Sequence, residues 1–273
     1  MEWFPAPAKL NLFLHVLGRR ADGMHELQTV FRLIDRSDRV GVTLREDGSL
    51  RFAGDFGEDN LCLKAARLLK ENSGTHLGAD LVLEKSIPVG GGLGGGSSDA
   101  ATVLLVLNRL WRLSLPRAEL MRLGLQLGAD VPFFLFGRTA LGEGVGERLQ
   151  ALDLPPAWYL VLAPRVTVST RDIFADNTLT RQTKPLKMSA FLSGQGGNDL
   201  ESIALRRYPQ IAEHLEWLRK RNPQARMTGS GACVFAEFAR QAEAEAAGRE
   251  LPSTMHGFVA RSLDLHPLRD WAN

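Results

Sequence analysis

Pro88-Val-Gly-Gly-Gly-Leu-Gly-Gly-Gly-Ser-Ser-Asp-Ala-Ala101 places six glycines in the seven positions from Gly90 to Gly96. Leu81 to Ile87, just upstream, reads as a strand. Asp99 to Leu110, just downstream, is apolar at helical intervals, so the glycines are predicted to form a loop that opens a helix. Glycine lets a backbone approach a ligand closely and adopt positive φ, and the first amides of a helix have no partner within it. A strand, a glycine loop and a helix start together predict an anion site. A flexible surface loop is the ordinary alternative, but six glycines between two ordered elements would cost chain entropy for no structural gain.

Two familiar phosphate loops fit poorly. Gly91 and Gly96 have the Walker A separation, yet Ser97 stands where that loop needs a lysine. Gly90, Gly92 and Gly95 satisfy the dinucleotide pattern, but the acidic ribose partner expected about 20 residues later is missing from Leu110-Trp-Arg-Leu-Ser-Leu115. Phosphate binding by main-chain amides is the reading that survives.

The rest of the chain supplies context. Leu10 to Val16, Leu27 to Ile34 and Arg39 to Leu44 alternate like strands, with Gly, Asp and Arg between them. Asn60 to Glu71 is predicted helical, because Leu61, Ala65, Leu68 and Leu69 share one face and Asn72, Ser73 and Gly74 mark an end. Further on come a strand at Trp158 to Ala163, helices near Ile203 to Lys220 and Gln241 to Glu250, and a second glycine turn within Arg226 to Phe238. Pro155 and Pro156 mark the expected hinge, which divides the chain into 1–154 and 155–273.

Composition narrows the partners. The 273 residues are 44% hydrophobic and 23% charged, values of a folded globular chain with room for a sizeable core. Thirty-three basic against 31 acidic groups leave +2, too little for a polyanion-coating surface, so nucleic acid is not expected as a partner. Cys62 and Cys233 have neither disulfide-framework nor zinc-ligand spacing, which suits a reducing cytoplasm. Met1 to Lys9 lacks the pattern of a secretory signal, and no apolar run approaches the ~20 residues of a membrane span, so no membrane partner is expected.

Pro88 to Ala101 resembles the ATP loop of the galactokinase, homoserine, mevalonate and phosphomevalonate (GHMP) kinase superfamily. Ala8-Lys-Leu-Asn-Leu-Phe-Leu-His15 and Met227-Thr-Gly-Ser-Gly-Ala-Cys-Val234 fit the same superfamily, in the expected order. Gly23-Met-His-Glu-Leu-Gln-Thr29 and Gly128-Ala-Asp-Val-Pro-Phe133 resemble its branch acting on a cytidine-diphosphate alcohol. The resemblance implies an α+β fold in two domains, the first like a ribosomal-protein domain and the second ferredoxin-like, with ATP in the cleft between them. It implies ATP as cosubstrate together with Mg2+, and leaves monomer and homodimer open. The first half's likeness also admits an RNA-binding or assembly module, which the near-neutral charge and the glycine loop disfavour. A kinase acting on mevalonate, homoserine or a sugar is a further alternative.

Site residues follow in part from chemistry and in part from the resemblance. Phosphoryl transfer needs the acceptor hydroxyl in line with the γ-phosphorus, charge neutralised on the oxygens, and a group to take or direct the hydroxyl proton. Asp130 falls on the superfamily's catalytic aspartate, where local sequence alone suggests a turn aspartate. Lys9 sits in an otherwise apolar strand and needs an anionic partner, and the resemblance pairs it with Asp130. The ATP loop would use Pro88, Gly90, Gly91, Gly92, Leu93, Gly94, Gly95, Gly96, Ser97 and Ser98, with the two serines capping the helix, contacting phosphate or its magnesium, or doing both. Asn11, His25, Thr170 and Phe174 would meet the cytidine-bearing substrate. Met24 departs from the aromatic residue that often precedes that histidine, which argues against a base held between two aromatic rings.

Overall fold

The computed structural model describes residues 1–54, 57 and 60–272. Two long strands, β1 (Glu2–Arg19) and β2 (His25–Arg45), form an antiparallel ribbon whose facing pairs include Ala8 with Ile34 and Asn11 with Phe31. Register shifts between Pro7 and Ala8, Asn11 and Leu14, and Val16 and Gly18 twist the ribbon. β2 is one strand where two were predicted. The break expected around Asp35 to Asp38 does not occur, because Asp38 stays paired opposite Ala6 and its buried carboxylate accepts the Ser86 and Ile87 amides at 2.6 and 2.8 Å.

β2 is the hub of the sheet. It pairs antiparallel with β4 (Gly78–Glu84), β5 (Ala140–Gly144) and, through Ile34 and Leu33, β10 (Gly257–Leu263). β3 (Leu50–Ala53) runs parallel to β4, and β6 (Arg148–Ala151) borders β5. Beyond β10 the sheet continues through β7 (Trp158–Leu162), β9 (Val234–Phe238) and β8 (Arg226–Met227).

Four helices cover the first part of the sheet: α1 (Leu61–Ser73), α2 (Gly95–Leu110), α3 (Arg117–Leu127) and α4 (Val131–Phe136). α1 matches its prediction to within two residues. Asn60 caps it, accepting from the Leu63 amide at 2.9 Å, and Gly74 ends it at φ 67°. α2 is buried on every side from Ser98 to Asn108, as expected of a helix at the centre of a core rather than on its surface. Its first turn includes Gly95 and Gly96, so it begins four residues earlier than its apolar pattern indicates. Around it pack Phe4, Leu33, Leu69, Leu81, Trp111 and Phe133.

A second core gathers under α5 (Thr170–Phe174), α7 (Glu201–Arg207), α8 (Pro209–Arg219) and α9 (Gln241–Arg249), with Leu160, Ile173, Ile203, Leu215 and Val234 at its centre. α6 (Met188–Leu192) lies outside it and packs Phe191 on Phe13. The single helix predicted near Ile203 to Lys220 is two, since Pro209 has no amide to continue α7 and disfavours helical geometry at Tyr208. Between the two cores, Leu10, Phe13, Val30 and Ile34 of the ribbon pack on Tyr159, Val161 and Phe235. The C-terminal segment returns to the first core, where Leu268 and Ala272 are buried.

Candidate active site

The glycine loop is held from three directions. Leu93 O accepts the Lys9 amide at 3.0 Å, and Gly90 O and Gly91 O accept the amides of Ala232 and Cys233 at 3.3 and 3.1 Å. Gly92 and Gly94 adopt φ of 75° and 71°, where side chains are disfavoured. A Cβ on Gly92 would lie 2.3 Å from the Thr228 carbonyl oxygen, and one on Gly94 would lie 2.9 Å from the Phe134 ring and 3.1 Å from Lys9 Cε. These glycines are required by packing as well as by any ligand.

Two cavities meet at this loop. One, of about 400 Å³, is lined by Asn60, Leu61, Lys85 and the loop from Pro88 to Ser97. The other, of about 310 Å³, is lined by Lys9, Asn11, Asp130, Thr170 and Phe174. Gly90, Gly92, Gly94 and Ser97 border both. A chain of phosphates laid along the loop would therefore lead from the first cavity into the second.

Lys9 and Asp130 come together as the sequence reading expects. Lys9 Nζ lies 3.3 Å from Asp130 Oδ2, with the lysine side chain 4% exposed and the aspartate 33% exposed. The same ammonium donates to Asn11 Oδ1 at 2.5 Å and to Gly92 O at 3.0 Å. An ammonium has three donors, so Lys9 is spent on holding Asp130, Asn11 and the loop in one geometry. Asp130 precedes α4 in the N-cap position, yet its side chain makes no capping bond and its carboxylate faces the second cavity. Asn11 Nδ2 donates to Thr29 Oγ1 at 2.9 Å, which leaves its amide group engaged at both ends.

Of the remaining expected residues, Thr170 and Phe174 belong to the lining of the second cavity, and His25 is joined to it through Phe174. Thr170 Oγ1 lies 2.7 Å from Ser230 Oγ. His25 packs its ring on Phe174 with centroids 4.9 Å apart and planes tilted by 33°. No base fits between those two rings at that spacing, so a stacked base would have to lie on the outer face of one of them. Met24 is 49% exposed.

Comparison with known proteins accounts for these segments together. The model of the GHMP kinases N-terminal domain matches residues 60–138, and that of the GHMP kinases C-terminal domain matches residues 177–257. The 4-diphosphocytidyl-2-C-methyl-D-erythritol kinase of Nitrosospira multiformis is 56% identical over 98% of this chain and 93% of its own length. That of Nitrosomonas eutropha is 55% identical over 99% of this chain and 100% of its own length. The chain belongs to the 4-diphosphocytidyl-2-C-methyl-D-erythritol kinase family of the GHMP kinases. A crystal structure of 4-(cytidine 5'-diphospho)-2C-methyl-D-erythritol kinase superposes on this GHMP kinase with a TM-score of 0.85 at 37% identity, covering 96% of this chain and 99% of the other. Homoserine kinase from Cytophaga hutchinsonii, 18% identical with a TM-score of 0.72 over 97% of this chain and 94% of its own, shares the fold. The fold is the two-domain α+β fold of GHMP kinases, and the chain is an ATP-dependent small-molecule kinase.

Within this kinase the two loop serines differ. Neither caps α2, whose N-cap is Gly94 without a side-chain bond. Ser98 is buried and its hydroxyl donates to Pro7 O at 2.7 Å, tying the helix start to β1. Ser97 keeps its hydroxyl at the junction of the two cavities.

Sequence reasoning passed over a buried ionic cluster below the loop. Lys85 Nζ pairs with Asp38 and, at 2.7 Å, with Asp99. Burial works against the Lys85 ammonium, but the carboxylates of Asp99 and Asp38 raise its pKa, whereas burial raises that of Asp99. The signal was present in Lys85 at the end of a strand and Asp99 at the foot of an apolar helix, each needing a partner. Among the described residues no group of three His, Cys, Asp or Glu side chains is placed to hold a metal ion.

Proposed function

We propose that this kinase transfers the γ-phosphoryl group of ATP to the 2-hydroxyl of 4-diphosphocytidyl-2-C-methyl-D-erythritol, in the non-mevalonate route to isoprenoid precursors. The observation that carries the reading is the Lys9–Asp130 pair on the cavity that shares its border with the glycine loop. The nucleoside of ATP takes the first cavity, the triphosphate runs along the amides from Gly90 to Ser98, and the alcohol takes the second cavity. Asp130 accepts the hydroxyl proton as that oxygen bonds to the γ-phosphorus and the bond to the β,γ-bridging oxygen breaks, releasing ADP. Lys9, 3.3 Å away, keeps the Asp130 carboxylate aimed. Asn11 acts by fixing Lys9, while His25, Thr170 and Phe174 bound the space for the cytidine end.

Magnesium enters as part of the cosubstrate. Among the described residues the second cavity offers the Asp130 carboxylate and the Ser97 hydroxyl, while Asp99 of the first cavity is paired with Lys85 at 2.7 Å, a donor set that suits an ion held chiefly by ATP phosphates and their waters. Among the described residues no helix is long and apolar enough to cross a membrane, and the cytoplasm is the proposed location. The chain divides functionally near Leu154 and Pro155 and acts as a monomer or homodimer without nucleic acid.

Parallel turnover assays with 4-diphosphocytidyl-2-C-methyl-D-erythritol, mevalonate, homoserine and galactose test the reading. ADP release with the first alone is the expected result. Turnover of another alcohol with none of the first would overturn it.

A further inference from the structure

His25 opens β2 and Phe174 closes α5, so their rings meet from different parts of the chain, and one side chain holds both. Arg181 Nε donates to His25 Nε2 at 3.1 Å. Its Nη2 donates to Phe174 O and Asp176 O, each at 2.9 Å, and its Nη1 to Leu179 O at 3.3 Å. The guanidinium thus collects the carbonyls at the end of α5 and the turn after it, where a helix leaves its acceptors without partners.

A guanidinium has donors only and stays charged throughout the working pH range. A ring nitrogen that accepts from it must carry the lone pair, which puts the proton of neutral His25 on Nδ1. Burial, then the charges of Arg181 and Arg19, lower the pKa of His25 from its ordinary 6.5, so the ring is neutral at pH 7 and above. The same bond leaves the imidazole no rotation about its packing on Phe174 without losing Arg181.

We propose that Arg181 is a positioning residue that fixes His25 as the Nδ1–H tautomer and clamps its ring against Phe174, so that His25 offers the cytidine base a hydrogen-bond donor. The proposal rests on the reading that His25 meets that base. A fixed Nδ1–H pairs with a ring acceptor such as N3 or O2 of cytosine and cannot accept from an exocyclic amine, so Arg181 decides which edge of the base His25 can serve. Arg181 touches no reacting atom, and its effect falls on acceptor binding rather than on the phosphoryl step.

The test is long-range proton–nitrogen NMR of the full-length protein labelled with 15N-histidine, with His25→Gln used to assign the signals. At pH 8 the wild type is expected to show His25 with a protonated Nδ1 and an unprotonated Nε2. Arg181→Met is expected to shift His25 toward the Nε2–H form and to raise its pKa. It should also raise KM for the cytidine substrate about tenfold, the size of losing one well-placed hydrogen bond to an ordered group, with kcat and KM for ATP within about twofold. A wild-type ring protonated on Nε2 overturns the proposal by itself, whether or not the variant folds. Arg181→Lys, which keeps the charge without the fork, should give an intermediate tautomer ratio, and an unchanged ratio in both variants also overturns it. If the tautomer shifts as expected while neither Arg181→Met nor His25→Gln alters KM for the cytidine substrate, the lock stands and the base-contact reading falls.

Discussion

Asp130 occupies a position where an aspartate ordinarily caps a helix, and it caps nothing. Its carboxylate is two-thirds shielded, paired to a lysine that solvent hardly reaches, and turned to the cavity beside the loop. A group used only for structure would have taken the free amides of α4. Asp130→Asn keeps the shape and removes the proposed proton acceptor, so turnover should fall by about 10² or more with ATP affinity near wild type. Steady-state kinetics and ATP-analogue calorimetry check both halves, and unchanged turnover would take Asp130 out of the chemistry. Lys9 was legible because one ammonium in an apolar strand is incomplete alone, whereas Asp130 reads locally as a turn aspartate and was singled out through the family resemblance. Arg181 was not legible. Its importance lies in a contact with His25 across 156 residues, and its local sequence of Thr, Gln and Lys looks like any polar loop.

At the scale of elements, the strand, glycine loop and buried helix were read correctly, but the reason for the glycines was read only in part. Close approach of phosphate is the demand the proposed function makes. The other is internal, since the loop is pressed between β1, α4 and the turn joining β8 to β9, and Gly94 leaves no room beside Phe134 and Lys9 Cε. Gly94→Val is therefore expected to do more than weaken ATP binding. A branched side chain at positive φ costs on the order of 1–2 kcal/mol in backbone strain, and relief of the clash must displace Lys9 and with it Asp130. KM for ATP should rise about tenfold or more, and kcat should fall in the same variant while its thermal melt stays cooperative. A loss confined to KM would mean that Lys9 does not feel the loop. The continuity of β2 was missed for a related reason: Asp38 looks like a break in a strand, yet it is consumed by the Ser86 and Ile87 amides at the root of the same loop.

At the scale of the molecule, the cleft depends on two cores sharing one sheet, and the chain end closes the first of them. After β10 the chain crosses back, where Arg117 donates to Leu135 O, Arg269 O and Ala272 O at 2.6, 2.6 and 2.5 Å. His266 is buried in this closure, its amide donating to Gly137 O at 2.9 Å and its Nδ1 accepting from the Leu268 amide at 3.1 Å. No division of the sequence at the proline pair reveals that the last residues complete the first core, because tail residues such as Leu268 and Ala272 carry no periodic pattern. Burial, reinforced by the nearby Arg117 charge, holds the His266 pKa down to about 3, against 6.5 in the unfolded chain. The folded state therefore refuses a proton that the unfolded state takes up. Stability from this group is complete above pH 6.5 and declines by up to about 1.4 kcal/mol per pH unit as the pH falls toward 3. For a chain whose total stability is on the order of 10 kcal/mol, two units of acidification weigh heavily. His266→Asn places an amide oxygen where Nδ1 accepts and removes the titration. Urea denaturation at pH 7, 6 and 5 should show the wild type losing stability more steeply than the variant, with the gap opening below pH 6.5. Parallel slopes would show that acid reaches the fold by another route and that the tail's histidine is not what limits it.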